Sequence, residues 1–179
     1  MSKKVLVISA SPRKGGNSET LAKEFAKGAQ EAGHTVEMVS LHDKTIGFCT
    51  GCFACQKTGR CVIKDDADII AQKMLKAEVI AFATPVYFYD MSGQMKTMLD
   101  RSNPCFPSDY AFRDIYLLAA AADEEESAMD GTVKGLQGWV DCFEKANLKR
   151  AVRAVGVTDV DDIAGKPILR EAYELGITL

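Results

Sequence analysis

The chain has 179 residues, enough to bury the core of one domain. Its 47% hydrophobic and 26% charged residues, formal net charge of −3 and lack of a basic stripe suit a globular protein and exclude nucleic acid as a partner. The apolar stretches at 79–91 and 115–122 are too short or interrupted to span a bilayer, and Val5–Ala10 is too short for a secretory signal, so a cytoplasmic protein is expected.

Lys4–Ala10 is continuous and β-branched, as in a parallel strand buried on both faces. Asn17 or Ser18 can cap a helix whose apolar positions Leu21, Ala22, Phe25, Ala26 and Ala29 keep a helical period, and Gly33 ends it. Thr35–Leu41 reads as a second strand. Asp65 or Asp66 opens a helix through Ile69, Ile70, Met74 and Leu75. Glu78–Thr84 is a third strand, broken by Pro85, and a helix follows from about Ser92 to Arg101. Asp114–Ala122 is a fourth strand; Leu136, Trp139, Val140 and Phe143 mark a helical face. Lys149–Val157 is a fifth strand and Pro167–Leu175 a last helix. Strands alternating with helices predict an α/β fold: one domain over 1–179 with a doubly wound five-stranded parallel sheet and helices on both faces. The flavodoxin-like order 2-1-3-4-5 suits this length, and pattern alone leaves other doubly wound orders open.

Ligands of such sheets sit at the carboxyl ends of the strands. After the first strand comes Ser11-Pro12-Arg13-Lys14-Gly15-Gly16-Asn17-Ser18, rich in hydroxyls, glycines and cations and opening a helix. Free N–H groups at a helix start suit a phosphate. The dinucleotide fingerprint G-x-G-x-x-G, the Walker pattern and the hydrolase elbow G-x-S-x-G are all absent. After the third strand comes Thr84-Pro85-Val86-Tyr87-Phe88-Tyr89-Asp90-Met91-Ser92-Gly93. Three successive aromatics in a loop can offer stacking surface and backbone amides to a flat ring, or can pack an interface.

Four cysteines, Cys49, Cys52, Cys55 and Cys61, fall in a loop at 47–64 with spacing C-x2-C-x2-C-x5-C. In a reducing compartment this points to a metal or to redox chemistry. Three readings stand side by side: an iron-sulfur cluster, free or redox-active thiols, and a tetrahedral zinc site. Cys105 and Cys142 have no partner spacing and read as buried fillers, and His34 and His42 suggest no metal site.

Taken together, S-P-R-x-x-G-N-S and T-P-V-Y-F-Y-D-M-S-G-Q-M-K resemble the motifs of the NADPH-dependent FMN reductase family of flavodoxin-like proteins. The resemblance implies that Ser11, Arg13, Asn17 and Ser18 hold the FMN phosphate, that Pro85, Val86, Tyr87 and Phe88 line the flavin ring, and that Ala122 and Asp123 close the site. The cysteine motif resembles that of the iron-sulfur flavoprotein branch. That likeness implies one 4Fe-4S cluster on Cys49, Cys52, Cys55 and Cys61, and a homodimer or homotetramer. The expected activity is transfer of electrons from NADPH or NADH through FMN to a small-molecule acceptor such as a quinone or flavin, to an iron-sulfur centre, or to a ferredoxin-like protein. An electron carrier without nicotinamide turnover and a colourless redox-switch or interaction module are the rival readings.

Overall fold

The computed structural model describes every residue from Met1 to Leu179. In chain order the elements are β1 (Lys4–Ser9), α1 (Asn17–Glu31), β2 (Thr35–Ser40), α2 (Ala54–Thr58), α3 (Asp66–Lys76), β3 (Val79–Tyr87) and β4 (Asp90–Met91). There follow α4 (Gly93–Arg101), β5 (Asp114–Ala120), α5 (Asp130–Val140), β6 (Asn147–Ala154) and α6 (Pro167–Ile177). Five strands lie parallel in the order β2-β1-β3-β5-β6. This matches the expected doubly wound order once β4 is set aside. That two-residue strand folds back on the end of β3 as an antiparallel hairpin, and it was too short to leave a periodic signal.

Alternate strand residues point to opposite faces, and both faces are apolar. Val5, Val7, Val79, Ala81 and Leu118 pack under α1 and α6, in a cluster with Leu21, Phe25 and Ala172. Leu6, Ile8, Ile80, Phe82 and Leu117 pack under α3, α4 and α5, with Met74, Met95 and Leu136. The reversal of strand order lies between β1 and β3, so the loops leaving those two strands flank one crevice.

The third strand does not break at Pro85 as the sequence suggests; it continues to Tyr87. β1 flanks β3 only as far as Ala83, and beyond it Pro85 pairs with Ala120 of β5 alone. Proline is tolerated where a strand has lost one neighbour.

The C-terminal helix is pressed against the first helix at two glycines. A Cβ on Gly28 would overlap the Tyr173 carbonyl, and one on Gly176 would overlap the Phe25 carbonyl. Alanine normally favours a helix over glycine by about 1 kcal/mol. Here the sign reverses: Gly28→Ala is expected to lower stability by about 1–3 kcal/mol through overpacking, read as a drop in the denaturant midpoint.

Candidate functional site

The loop from β1 into α1 is folded by its own side chains. Ser11 Oγ donates to the Arg13 carbonyl at 2.7 Å, and the Glu19 carboxylate accepts from Gly15 N at 2.5 Å. Gly15 takes the left-handed conformation (φ +72°), which glycine adopts without strain. A Cβ on Gly16 would come within 2.6 Å of Ser11 Oγ and 3.3 Å of the Arg13 carbonyl. The helix begins one residue earlier than its polar residues suggest. Gly16 is the N-cap and offers no side chain, while Asn17 and Ser18 lie inside the first turn. The amides of Asn17, Ser18 and Glu19 therefore have no acceptor in their own helix, and none elsewhere in the protein. Ser18 is buried and its hydroxyl makes no hydrogen bond within the chain. Three unpaired amides, a hydroxyl and the positive end of a 15-residue helix converge on one spot.

Across the crevice, β3 brings Pro85, Val86 and Tyr87 to the same cleft. Their strand end is pinned by a buried polar knot: Ser92 N donates to Thr84 Oγ1 (3.1 Å) and Ser92 Oγ to the Ala10 carbonyl (3.4 Å). The hairpin joining β3 to β4 turns through Phe88 (φ 50°) and Tyr89 (φ 63°). Two positive φ values make this a type I′ turn, a place usually filled by Asn-Gly. Bulky residues there carry strain, and such strain collects at working sites. Helix α5 closes on the turn, since a Cβ on Gly131 would overlap the Tyr89 carbonyl.

The cleft gathers Ser11, Arg13, Asn17 and Ser18 from the first loop, Pro85, Val86 and Tyr87 from the third strand, and Ala122 beyond β5. Phe88 and Asp123 are not in it. Phe88 projects fully into solvent from the turn. Asp123 stands outside, its carboxylate accepting from Tyr89 Oη (3.4 Å) and Glu125 N (2.9 Å). A fourth wall, Val157 to Val160, was not foreseen. It follows the end of β6, and so obeys the same strand-end rule, but it has no glycine or aromatic signature to mark it.

The cysteine loop lies at the other end of α4. Arg101, whose side chain is wholly buried, donates to both Asp65 oxygens (2.7 Å each), to the Gly47 carbonyl (2.6 Å) and to Cys61 Sγ (3.4 Å). Arg60 grips Asp68 with two nitrogens at 2.7 and 3.0 Å, and Asn103 Nδ2 donates to Cys55 Sγ at 3.3 Å. Burial pushes the Cys55 thiol up, while the Ala54 amide and the Thr50 hydroxyl hold the Cys52 thiol down. Cys49 and Cys52 are exposed. No three histidine, cysteine, aspartate or glutamate side chains converge to hold a metal ion. Zinc thus finds no tetrahedral ligand set, and the expected 4Fe-4S cluster on Cys49, Cys52, Cys55 and Cys61 finds no support in the geometry. Cys105 is a buried filler as expected, its thiol pushed up to about 12 by burial. Cys142 is not: it lies just past the end of α5, exposed on a groove shared with Cys49 and Phe53.

No helix is long and apolar enough to cross a membrane. A profile of the NADPH-dependent FMN reductase family matches residues 3–155. An iron-sulfur flavoprotein of Methanosarcina thermophila is 30% identical over 138 residues, covering 76% of this chain and 72% of the relative. One from Methanocaldococcus jannaschii is 44% identical over 101 residues, covering 56% of this chain and 52% of the relative. The chain spans about half the length of two such curated relatives, 52% and 46%. Among solved structures, an NAD(P)H:quinone oxidoreductase from Methanothermobacter marburgensis superposes with a TM-score of 0.79 at 18% identity, covering 99% of this chain and 96% of the other. At that identity the likeness is one of fold.

Proposed function

Because the chain belongs to the NADPH-dependent FMN reductase family, we propose that its strand-end cleft binds FMN and that the protein is an FMN-dependent NAD(P)H oxidoreductase with a small-molecule acceptor. The observation that carries this is the start of α1. The amides of Asn17, Ser18 and Glu19, with no protein acceptor, and the Ser18 hydroxyl form a donor set matched to a terminal phosphate. Val86 and Pro85 give the ring an apolar floor, and Tyr87, partly exposed, closes one side. Bound FMN would supply acceptance of a hydride from the reduced nicotinamide and release of its electrons to a quinone, flavin or similar acceptor. The protein's part is to fix the phosphate, orient the ring and limit water. The groove beside Cys49 and Phe53 and the exposed Phe48, Phe53 and Phe106 suit assembly into a homodimer or homotetramer.

The relatives' names favour a second component, an iron-sulfur cluster, and the loop of Cys49, Cys52, Cys55 and Cys61 is its one candidate in this chain. The thiols as placed form no ligand set, so no electron path through that loop belongs to this reading.

The test is a visible spectrum of anaerobically purified protein, with iron and acid-labile sulfide assayed on the same sample and NAD(P)H oxidation followed with added FMN. Flavin bands and FMN-dependent oxidation of NADPH or NADH are expected. Flavin without nicotinamide turnover would leave an electron carrier. A protein that stays colourless and refuses FMN would end the reading. Iron and sulfide in equal amounts would establish the cluster, and their absence would assign the four cysteines to thiol chemistry.

A further inference from the structure

The backbone carbonyls of a strand point alternately to its two neighbours. In β3 the Ala83 carbonyl accepts from Ala10 N at 2.8 Å, beside the last pairing of β1, and β4 takes up pairing only at Val86. The Pro85 carbonyl, two residues on, points the same way as that of Ala83. It falls in the gap between these neighbours, at the crevice where strand order reverses. Two hydroxyls fill the gap. Thr84 and Ser92 are wholly buried, each at 0% exposure. Thr84 Oγ1 lies 2.9 Å from the Pro85 carbonyl oxygen and 3.2 Å from Ser92 Oγ, and it accepts from Ser92 N at 3.1 Å. Ser92 Oγ lies 3.4 Å from the Ala10 carbonyl oxygen and accepts from Met95 N at 3.4 Å. Each hydroxyl has a single proton. Thr84 therefore gives its proton either to the Pro85 carbonyl or to Ser92 Oγ, and the Ala10 carbonyl can receive the Ser92 proton in both cases. Exchange between the two needs rotation about one C–O bond and no movement of a heavy atom.

We infer that the Thr84 hydroxyl is a positioning group with two settings, one engaging the Pro85 carbonyl and one releasing it, and that Thr84 and Ser92 thereby set the balance between oxidised and reduced flavin in the cleft. The inference rests on the flavin reading above and deepens it by naming two residues behind the ring wall. Pro85 belongs to the wall assigned to the ring. An oxidised isoalloxazine has one ring N–H. A hydride from the nicotinamide and a proton from water leave it with three, so the reduced ring calls on its wall for more acceptors. A carbonyl free of the Thr84 proton is the better acceptor. The released setting therefore favours the reduced ring and the engaged setting the oxidised one. Neither hydroxyl is exposed to solvent, so water does not compete for either setting. The same pair ties the wall to Ala10, the residue before the phosphate loop, so both ends of the cleft share one hydrogen-bonded chain.

The test measures dissociation constants of the flavin-free protein for oxidised FMN and for FMN reduced with dithionite under argon, together with the midpoint potential of the bound flavin. Ser92→Ala removes the second acceptor and confines the Thr84 proton to Pro85. It should shift the ratio of the two constants towards the oxidised form by about three- to tenfold, the scale of one net hydrogen bond. Thr84→Val keeps the shape of the side chain and removes its proton, and should shift the ratio towards the reduced form by a similar factor. The potentials then move in opposite directions, each by up to about 30 mV for a two-electron couple. Thr84→Ser and Ser92→Thr keep both hydroxyls and should hold the ratio within about twofold of native. Ser92→Ala and Thr84→Val also lose buried hydrogen bonds and should melt at lower temperature, but loosening of the fold weakens both redox forms alike and leaves the ratio unmoved. An unchanged ratio in both variants, or a shift of the same sign in both, overturns the two settings. A native chain that binds neither form of FMN overturns the flavin reading as well, so the two failures are distinct.

Discussion

Ser18→Asp is expected to abolish retention of FMN while leaving the fold intact. Ser18 lies in the first turn of α1, buried, with no hydrogen bond of its own and beside the three unpaired amides. A carboxylate there takes those amides for itself and opposes the phosphate with like charge. Two unit charges about 4 Å apart at an effective dielectric near 20 repel by about 4 kcal/mol, roughly a thousandfold in affinity. The same substitution should stabilise the flavin-free protein by about 0.3–1 kcal/mol, because a negative charge at a helix start is favourable. Opposite signs in affinity and stability separate this outcome from simple damage to the fold. Ser18→Ala removes only one hydrogen bond to a charged group, about 1.5–3 kcal/mol, and should weaken FMN by roughly ten- to a hundredfold. Fluorescence titration and thermal melting of both variants decide the matter. Undiminished FMN binding by Ser18→Asp would place the phosphate elsewhere.

Breaking the buried pair of Arg101 and Asp65 should be the most damaging single change outside the cleft. Their side chains are 0% and 8% exposed. Arg101→Met strands a buried carboxylate, and such losses cost about 3–5 kcal/mol. Asp65 also caps α3 through Ala67 N and receives Gly47 N, so Asp65→Leu adds loss of a cap worth about 1 kcal/mol. The double variant should be more stable than the two single losses summed, because neither charge is left alone. Urea denaturation of the four proteins measures the coupling. Acid titration supplies a second readout. Burial pushes the Asp65 carboxyl up, but hydrogen bonds from Arg101 and the amides of Gly47 and Ala67 outweigh it and hold the group below its ordinary range. A depressed folded value means that the pair's full contribution is present above about pH 4, the unfolded aspartate value, and is lost as pH falls through the folded one. In Arg101→Met the sign inverts. A buried carboxylate without its cation is raised, so acidification neutralises it and should recover part of the lost stability.

Much of this architecture was legible because strands buried on both faces leave continuous apolar runs. The first strand, expected over Lys4–Ala10, runs Lys4–Ser9, and the third, expected over Glu78–Thr84, starts within one residue at Val79 but runs three further, to Tyr87. The two strand-end motifs were legible for the same reason: each sits where a run stops. What escaped notice depended on partners distant in sequence. Whether a proline ends a strand is decided by how far the neighbouring strand reaches, and Pro85 lies two residues beyond the last pairing of β1. Phe88 looked like part of a ring-binding loop because three aromatics stand in a row. The two-residue β4 folds the chain into a tight turn there and points Phe88 outward. The Val157–Val160 wall is polar and featureless as sequence, and becomes part of the site only through Arg13 and Asn17. In the cysteine loop spacing was a fair guide to proximity but not to ligation, since Arg101 and Asn103 hold Cys61 and Cys55 in positions that converge on no common metal ion.

The seating of α6 on α1 has a consequence for how the molecule comes into being. During synthesis α1 leaves the ribosome early, with Phe25, Gly28 and Ala29 on the face that α6 must cover. Residue 177, the end of α6, is made 146 positions after residue 31, the end of α1. At about 5–20 residues per second the nascent chain carries that uncovered seam for roughly 7–30 s. The sheet can assemble through β5 in that interval, but the apolar strip of α1 that α6 covers stays open until that helix is made.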